Sequence, residues 1–417
     1  MKHSLRCLLP LAVFLLCPAQ IVCDGQSEAT CSANDETCAS PNTNDTTSMP
    51  PTNLYQDTAD MLNVAMHTYG YACLQDMAQK HQDSFKADAD SLASILINNM
   101  TSISSKVLVS FARSNMDAIK KLNSTKPDEL SLECSVSIHH LWDETQSHWE
   151  EGRVSVAIDT EDERKELVYG IAVDNLRKRI IVSFRGSETT EDWIRNSGIN
   201  FETLPNPHYD ANASDQPRKI ALHTGFHDYL LKKRYLSKRQ RKYDLIKHEL
   251  SIVIPDYPDY DLYVTGHSLG GALSSIFAFY IASENDMGIK HPVTLINFAA
   301  PLVGDKKWQS AFQEIEKDGK VRHLRVSVLE DLVPTQPQSP ASPLQLFMKY
   351  KHTGTNLKLN ANSTFELIDS YTLKKTGPTK DTKWFWECLP WHTLGMYDFR
   401  LDDVAEDLKT KQLSDLW

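Results

Sequence analysis

The sequence lacks three things, and each absence removes a class of function. It has no basic excess: 44 Lys and Arg stand against 55 Asp and Glu, a formal charge of -11. With that acidity spread along the chain, nucleic acid is excluded as a partner, and the balance otherwise suits a soluble protein. It has no Cys/His cluster at zinc spacing, and neither metal nor cofactor is expected. Beyond its first two dozen residues it has no apolar run long enough to cross a bilayer, so no transmembrane segment is expected after processing.

What is present at the N-terminus points to secretion. Lys2 and Arg6 precede an apolar run from Cys7 to Cys17, and Pro18 to Cys23 follow. Basic, apolar and small residues in that order read as a signal peptide cleaved after Ala19 or Cys23. The run is short for a membrane anchor and carries Pro10. Sequons at Asn44, Asn99, Asn123, Asn212 and Asn362 agree with a secreted or lumenal glycoprotein. Cys31, Cys38, Cys73, Cys134 and Cys388 remain beyond the signal; disulfides are expected, with a pairing that spacing does not reveal.

Composition and periodicity then divide the chain into a signal over 1–23, a disordered linker over 24–53, a helical extension over 54–150 and an α/β domain over 151–417. Gln26 to Thr52 is polar and proline-containing, with almost nothing to bury. Leu54 to Gln79 and Ala87 to Leu122 show apolar residues at helical spacing, including Ile95, Ile103, Val107 and Phe111. These helices carry no catalytic set and read as packing. His139 and His140 lack matching ligands and read as a surface or half-buried pair.

From Val154 onward, strand patterns alternate with helical ones. Strands are predicted at Val154–Ile158, Leu167–Val173, Arg179–Phe184, Val293–Phe298 and His323–Leu329, and helices at Asp228 to Val253 and Lys307 to Glu316. The helix from Asp228 has a basic face, read as solvated. Repeated strand–helix–strand units imply an α/β fold whose mostly parallel central sheet is covered on both faces.

Within that pattern lies Val264-Thr265-Gly266-His267-Ser268-Leu269-Gly270-Gly271. An apolar strand runs into it and a helix follows, which is the context a G-x-S-x-G nucleophile elbow requires. The turn lifts a serine hydroxyl above the sheet at a helix N-terminus, where developing negative charge is favoured. Ser268 is the candidate nucleophile.

A serine needs a general base steadied by a carboxylate, and on this fold the chain order is Ser, acid, His. Asp331 follows a strand directly and is the favoured acid, with Glu330 its neighbour and Asp305 a weaker alternative. After His323 only His352 and His392 remain as bases. His352 opens a predicted strand at Thr355–Leu359, whereas His392 lies in a loop entering a helix, so position favours His392. The oxyanion donors are expected at the Leu269 amide and in Arg185-Gly186-Ser187, where Ser187 adds a hydroxyl.

Taken together, these segments resemble the class 3 lipase family, the fungal-type triacylglycerol lipases with an α/β-hydrolase fold. The matching motifs are Arg185-Gly186-Ser187 with Asp192-Trp193-Ile194, His223-x-Gly225-Phe226, the elbow through Leu273, Phe298-Ala299-Ala300-Pro301-x-Val303-Gly304, and Asp331-Leu332-Val333-Pro334. They span roughly Val154 to Phe399. The resemblance implies nucleophile Ser268, acid Asp331 and base His392, the last within a His-x-Leu-x-x-Tyr-like segment ending at Tyr397. It implies oxyanion donors at Ser187 and Leu269, and assigns His352 to a separate, non-catalytic His-x-Gly strand start. A lid would fall on Glu188 to Asn196. That stretch is polar, with Trp193 and Ile194 its bulky apolar groups, and Asn196 stands where the family commonly has an acid. The implied partner is a lipid or other ester substrate, met at a lipid–water interface. The alternatives are a phospholipase, a feruloyl-type esterase, or an inactive binding scaffold.

Overall fold

Strand formation follows the apolar runs closely. In the computed structural model, β3 (Leu167–Asp174), β4 (Arg179–Phe184), β7 (Asp261–His267), β8 (Val293–Phe298) and β9 (Val321–Val328) are buried almost throughout. The structure describes residues 52–80, 85, 102–104, 114–125, 151–157, 167–186, 200–212, 216–233, 240–284, 287–337, 350–372 and 389–417. The predicted signal, most of the linker, His139, His140 and the lid stretch lie outside the described residues.

Nine strands form the main sheet, in the order β1-β2-β3-β4-β7-β8-β9-β10-β11. Here β1 is Ser102–Ser104, β2 Glu151–Ala157, β10 Thr355–Leu359 and β11 Phe365–Asp369. The central five, β4-β7-β8-β9-β10, pair in parallel. Antiparallel strands extend both edges: β1, β2 and β3 on one side, β11 on the other. A separate two-stranded sheet joins β5 (Phe201–Pro205) and β6 (Lys219–His223). This sheet, parallel through its centre and flanked by helices, fits the α/β-hydrolase fold expected from the sequence.

Alternation along each central strand sends side chains to two cores, as burial on both faces of a parallel sheet requires. Ile180, Val182, Phe184, Leu262 and Val264 face a core shared with α4 (Lys242–Val253), α5 (Leu269–Ser283) and α6 (Lys306–Lys317). Ile181, Tyr263, Ile296 and Phe298 face the other, which holds α1 (Leu54–Lys80), α7 (Leu394–Asp402) and α8 (Ala405–Lys409). In α1 the buried stripe is Met61, Leu62, Ala65, Met66 and Tyr69, and the next helix along the chain is α2 (Met116–Thr125). Each such large side chain contributes about 1.5–3 kcal/mol through burial. Polar groups fix the helix as well: the Thr68 hydroxyl donates to Ser183 Oγ at 2.8 Å, and Arg179 pairs with Asp57 and Asp60. The change of sequence pattern near residue 150 is therefore no gap in packing, since Thr52–Trp417 form one compact unit.

Two local expectations need correcting. The single helix predicted from Asp228 to Val253 is two, α3 (Thr224–Leu230) and α4, with α3 ending at Leu231. Lys232 and Lys233 begin a run of like charges that repel along a helix and offer nothing to the core. Ile103, read as helical, lies in β1 and pairs with Val154. The free edge of β2 supplies backbone hydrogen bonds there that outweigh local periodicity. Cys73 in α1 is disulfide-bonded, and all other cysteines lie outside the described residues.

Candidate active site

The site is built where β7 ends. Ser268 adopts φ 59° and ψ -126°, a left-handed value that a non-glycine residue holds only when its surroundings impose it. The surroundings are tight. A Cβ at Gly270 would lie 2.0 Å from the Phe184 carbonyl oxygen, and one at Gly266 would lie 2.5 Å from that of Gly270. The Ser268 amide donates to the Phe298 carbonyl at 3.0 Å, which ties the turn to β8. Leu269, expected as an oxyanion donor, is the first residue of α5, so its amide belongs to the helix N-terminus beside the hydroxyl.

Two later segments converge on that hydroxyl. After β9 the chain turns through a bond from the Asp331 amide to the Val328 carbonyl, 3.1 Å. Further on, a short 3₁₀ turn (Leu389–His392) delivers His392, and Thr393 caps α7 by accepting from the Met396 amide at 3.3 Å. His392 Nε2 lies 2.8 Å from Ser268 Oγ, and its Nδ1 lies 2.9 Å from Asp331 Oδ2. Asp331 also accepts from the Tyr397 hydroxyl at 2.7 Å and from the Val333 amide at 2.9 Å. Ser268, Asp331 and His392 are each no more than 3% exposed. With the carboxylate on Nδ1, the hydrogen sits there and leaves the Nε2 lone pair toward the serine. The arrangement can therefore take a proton from Ser268 Oγ and hold the imidazolium that forms.

The competing candidates go elsewhere. Glu330 pairs with Arg400 at 3.3 Å, and Asp305 caps α6 by accepting from the Trp308 amide at 2.9 Å. His352 donates from Nε2 to the Pro334 carbonyl at 2.7 Å. Burial, then the Arg325 charge, holds its pKa well below the ordinary histidine value. Ser187 lies outside the described residues, but its neighbour Gly186 is close at hand: a Cβ there would be 3.1 Å from Ser268 Cβ.

Residues 181–340 match the family described as Lipase (class 3). That match covers 160 of the chain's 417 residues and includes the Ser268 elbow and Asp331. Among curated proteins, the chain is 29% identical to a chloroplastic phospholipase A(1) of Arabidopsis thaliana, over 47% of its own length and 40% of the relative's. It is 28% identical to a secreted mono- and diacylglycerol lipase of Fusarium solani, over 44% of each chain. The chain thus spans about two fifths of the length of these relatives. Among solved structures, a triacylglycerol lipase from Penicillium expansum is 22% identical, with TM-score 0.38 over 54% of this chain and 80% of that one.

Sequence reasoning placed Tyr397 in the motif but gave it no partner, and it passed over Tyr69 and His267. His267 Nε2 lies 2.7 Å from the His392 carbonyl oxygen, and its Nδ1 lies 3.2 Å from the Tyr69 hydroxyl. Its place beside Ser268 in the elbow was the available signal. For Tyr69 there was none, because 198 residues separate it from His267.

Proposed function

We propose that this chain is a secreted serine ester hydrolase that cleaves carboxylic esters of lipids through an acyl-enzyme. The observation that carries the reading is the unbroken line from Ser268 Oγ through His392 to Asp331, with contacts of 2.8 and 2.9 Å. His392 takes the Ser268 proton as the oxygen attacks the ester carbonyl carbon. The resulting oxyanion is held by the Leu269 amide and by Ser187, donors that act most strongly on charge formed in the transition state. His392 then gives its proton to the departing alcohol oxygen. Water, deprotonated by His392, attacks the acyl-enzyme and frees the fatty acid and Ser268. Asp331 stays ionised and orients the ring throughout.

A second reading on the same residues is phospholipase A1 action, favoured by relatives that carry that name. The chemistry is unchanged; the alcohol that leaves is a lysophospholipid. Rates on triolein, phosphatidylcholine and a short soluble ester, above and below the concentration where substrate forms an interface, separate the two. Ser268→Ala is expected to abolish hydrolysis of all three and labelling by a fluorophosphonate. Retained hydrolysis by the purified variant would refute the assignment.

A further inference from the structure

Tyr69, His267 and the Gly186 amide adjoin the site yet have no step in the reaction above. Donor and acceptor chemistry orients the bonds that join them. The His392 carbonyl oxygen only accepts, so His267 Nε2, 2.7 Å away, carries the hydrogen. His267 is neutral, because burial, then nearby His392, pushes its pKa well below the ordinary value. Its Nδ1 therefore presents a lone pair, and the Tyr69 hydroxyl donates to it at 3.2 Å. The same hydroxyl oxygen accepts from the Gly186 amide at 2.8 Å. The three bonds run in one direction, from the loop after β4, through Tyr69 and His267, to the backbone of His392.

Packing reinforces the line. A Cβ at Gly186 would lie 2.2 Å from Tyr69 Oη, so the hydroxyl sits hard against the loop that leads into Ser187. The Tyr69 and His267 rings meet edge to face with centroids 5.8 Å apart, and Tyr69 is 3% exposed. Tyr69 is held in turn by α1, whose stripe is buried against the sheet.

We propose that Tyr69 is a positioning residue for ester hydrolysis, its hydroxyl fixing the oxyanion loop beside Ser268 and, through His267, the backbone at His392. This rests on the hydrolase reading above and makes α1 part of the catalytic machinery. Oxyanion donors act only when they stand at hydrogen-bond distance from the position the charged oxygen will occupy. A small shift of the loop therefore weakens the transition state far more than the bound ester.

The test is Tyr69→Phe, which keeps the ring and removes the hydroxyl, assayed on p-nitrophenyl butyrate and normalised by fluorophosphonate titration of Ser268. The kcat is expected to fall about 10- to 100-fold, less than or near the loss of a direct oxyanion donor. KM should stay within about twofold, and affinity for a trifluoromethyl ketone should fall by the same factor as kcat/KM. A purely structural role would reduce the titratable fraction and leave kcat per titrated site and inhibitor affinity unchanged; that result overturns the proposal. Full rate in Ser268→Ala would instead sink the hydrolase reading, and this proposal with it.

Discussion

Two buried histidine networks are built on β9 and the segments that follow it. One joins Ser268, His392 and Asp331 beyond the strand's C-terminal end. The other lies within the sheet: His323 Nδ1 is 3.1 Å from Thr353 Oγ1, and Arg325 donates to the Thr353 carbonyl and the Ser370 hydroxyl, each at 2.9 Å. His352 belongs beside them, bonded to the Pro334 carbonyl. The difference is the charge each histidine meets. Protonating His392 places a cation against a carboxylate. Protonating His323 or His352 would place one near Arg325, a guanidinium so buried that its own pKa is pushed down to about 9. Burial beside a cation thus keeps a histidine neutral, whereas a carboxylate on the far nitrogen supports the protonated form that a base must pass through.

The comparison breaks most sharply at the two histidines, His392 and His352. His392→Ala should lower kcat on a soluble ester by on the order of 10^5- to 10^6-fold, as loss of a triad base does. His352→Gln should leave kcat within about fivefold and lower the thermal midpoint by roughly 2–6 °C, for one buried hydrogen bond disturbed. Steady-state kinetics and calorimetry on the two variants decide it, and equal loss of activity would erase the distinction.

A smaller effect is expected at the proposed acid. Asp331→Asn should cost on the order of 10^4-fold in kcat, because an amide favours the wrong imidazole tautomer. Asp305→Asn, which alters only a helix cap, should leave kcat unchanged. A loss at Asp305 equal to that at Asp331 would reverse the assignment.

The smallest effect concerns the second network and appears only with pH. Burial raises the Glu316 carboxyl from 4.5 to about 7, although Tyr371 and the His323 amide (3.2 Å) both donate to it. A carboxyl whose folded pKa is raised stabilises the fold fully below its unfolded value and loses that contribution as pH rises through 7. Asp398, lifted to about 7 by burial and then by Asp402, acts in the same direction. The thermal midpoint should therefore decline between about pH 5 and pH 8 on account of both groups. Glu316→Gln should remove part of that decline with kcat at pH 7 unaltered, and melting curves across the range would reveal an unchanged slope if the account is wrong.

Much of the site could be read along the chain because its parts are local. Gly266, Ser268 and Gly270 share one turn, and that turn's strain and close approaches are properties of a few consecutive residues. Asp331 was legible because it leaves an apolar strand, the place where an acid reaches the nucleophile on this architecture. The run of Arg179–Phe184 and that of Val293–Phe298 became strands at the expected limits. Ile103 did not follow its periodicity, since the edge of a sheet assembled from other segments captured it.

The sequence by itself determined the elbow, the chain order of the candidates Ser268, Asp331 and His392, and the alternation of strands that buries both faces of the sheet. Each of these follows from short-range sterics and from hydrophobic patterning. Position and resemblance already favoured His392 over His352, and the tertiary structure added the physical reason: Asp331 lies 2.9 Å from His392 Nδ1, whereas His352 meets the Arg325 charge. Only the tertiary structure brought Tyr69 to the oxyanion loop. That contact spans 117 residues and exists because α1 buries an apolar stripe against strands formed far later in the chain.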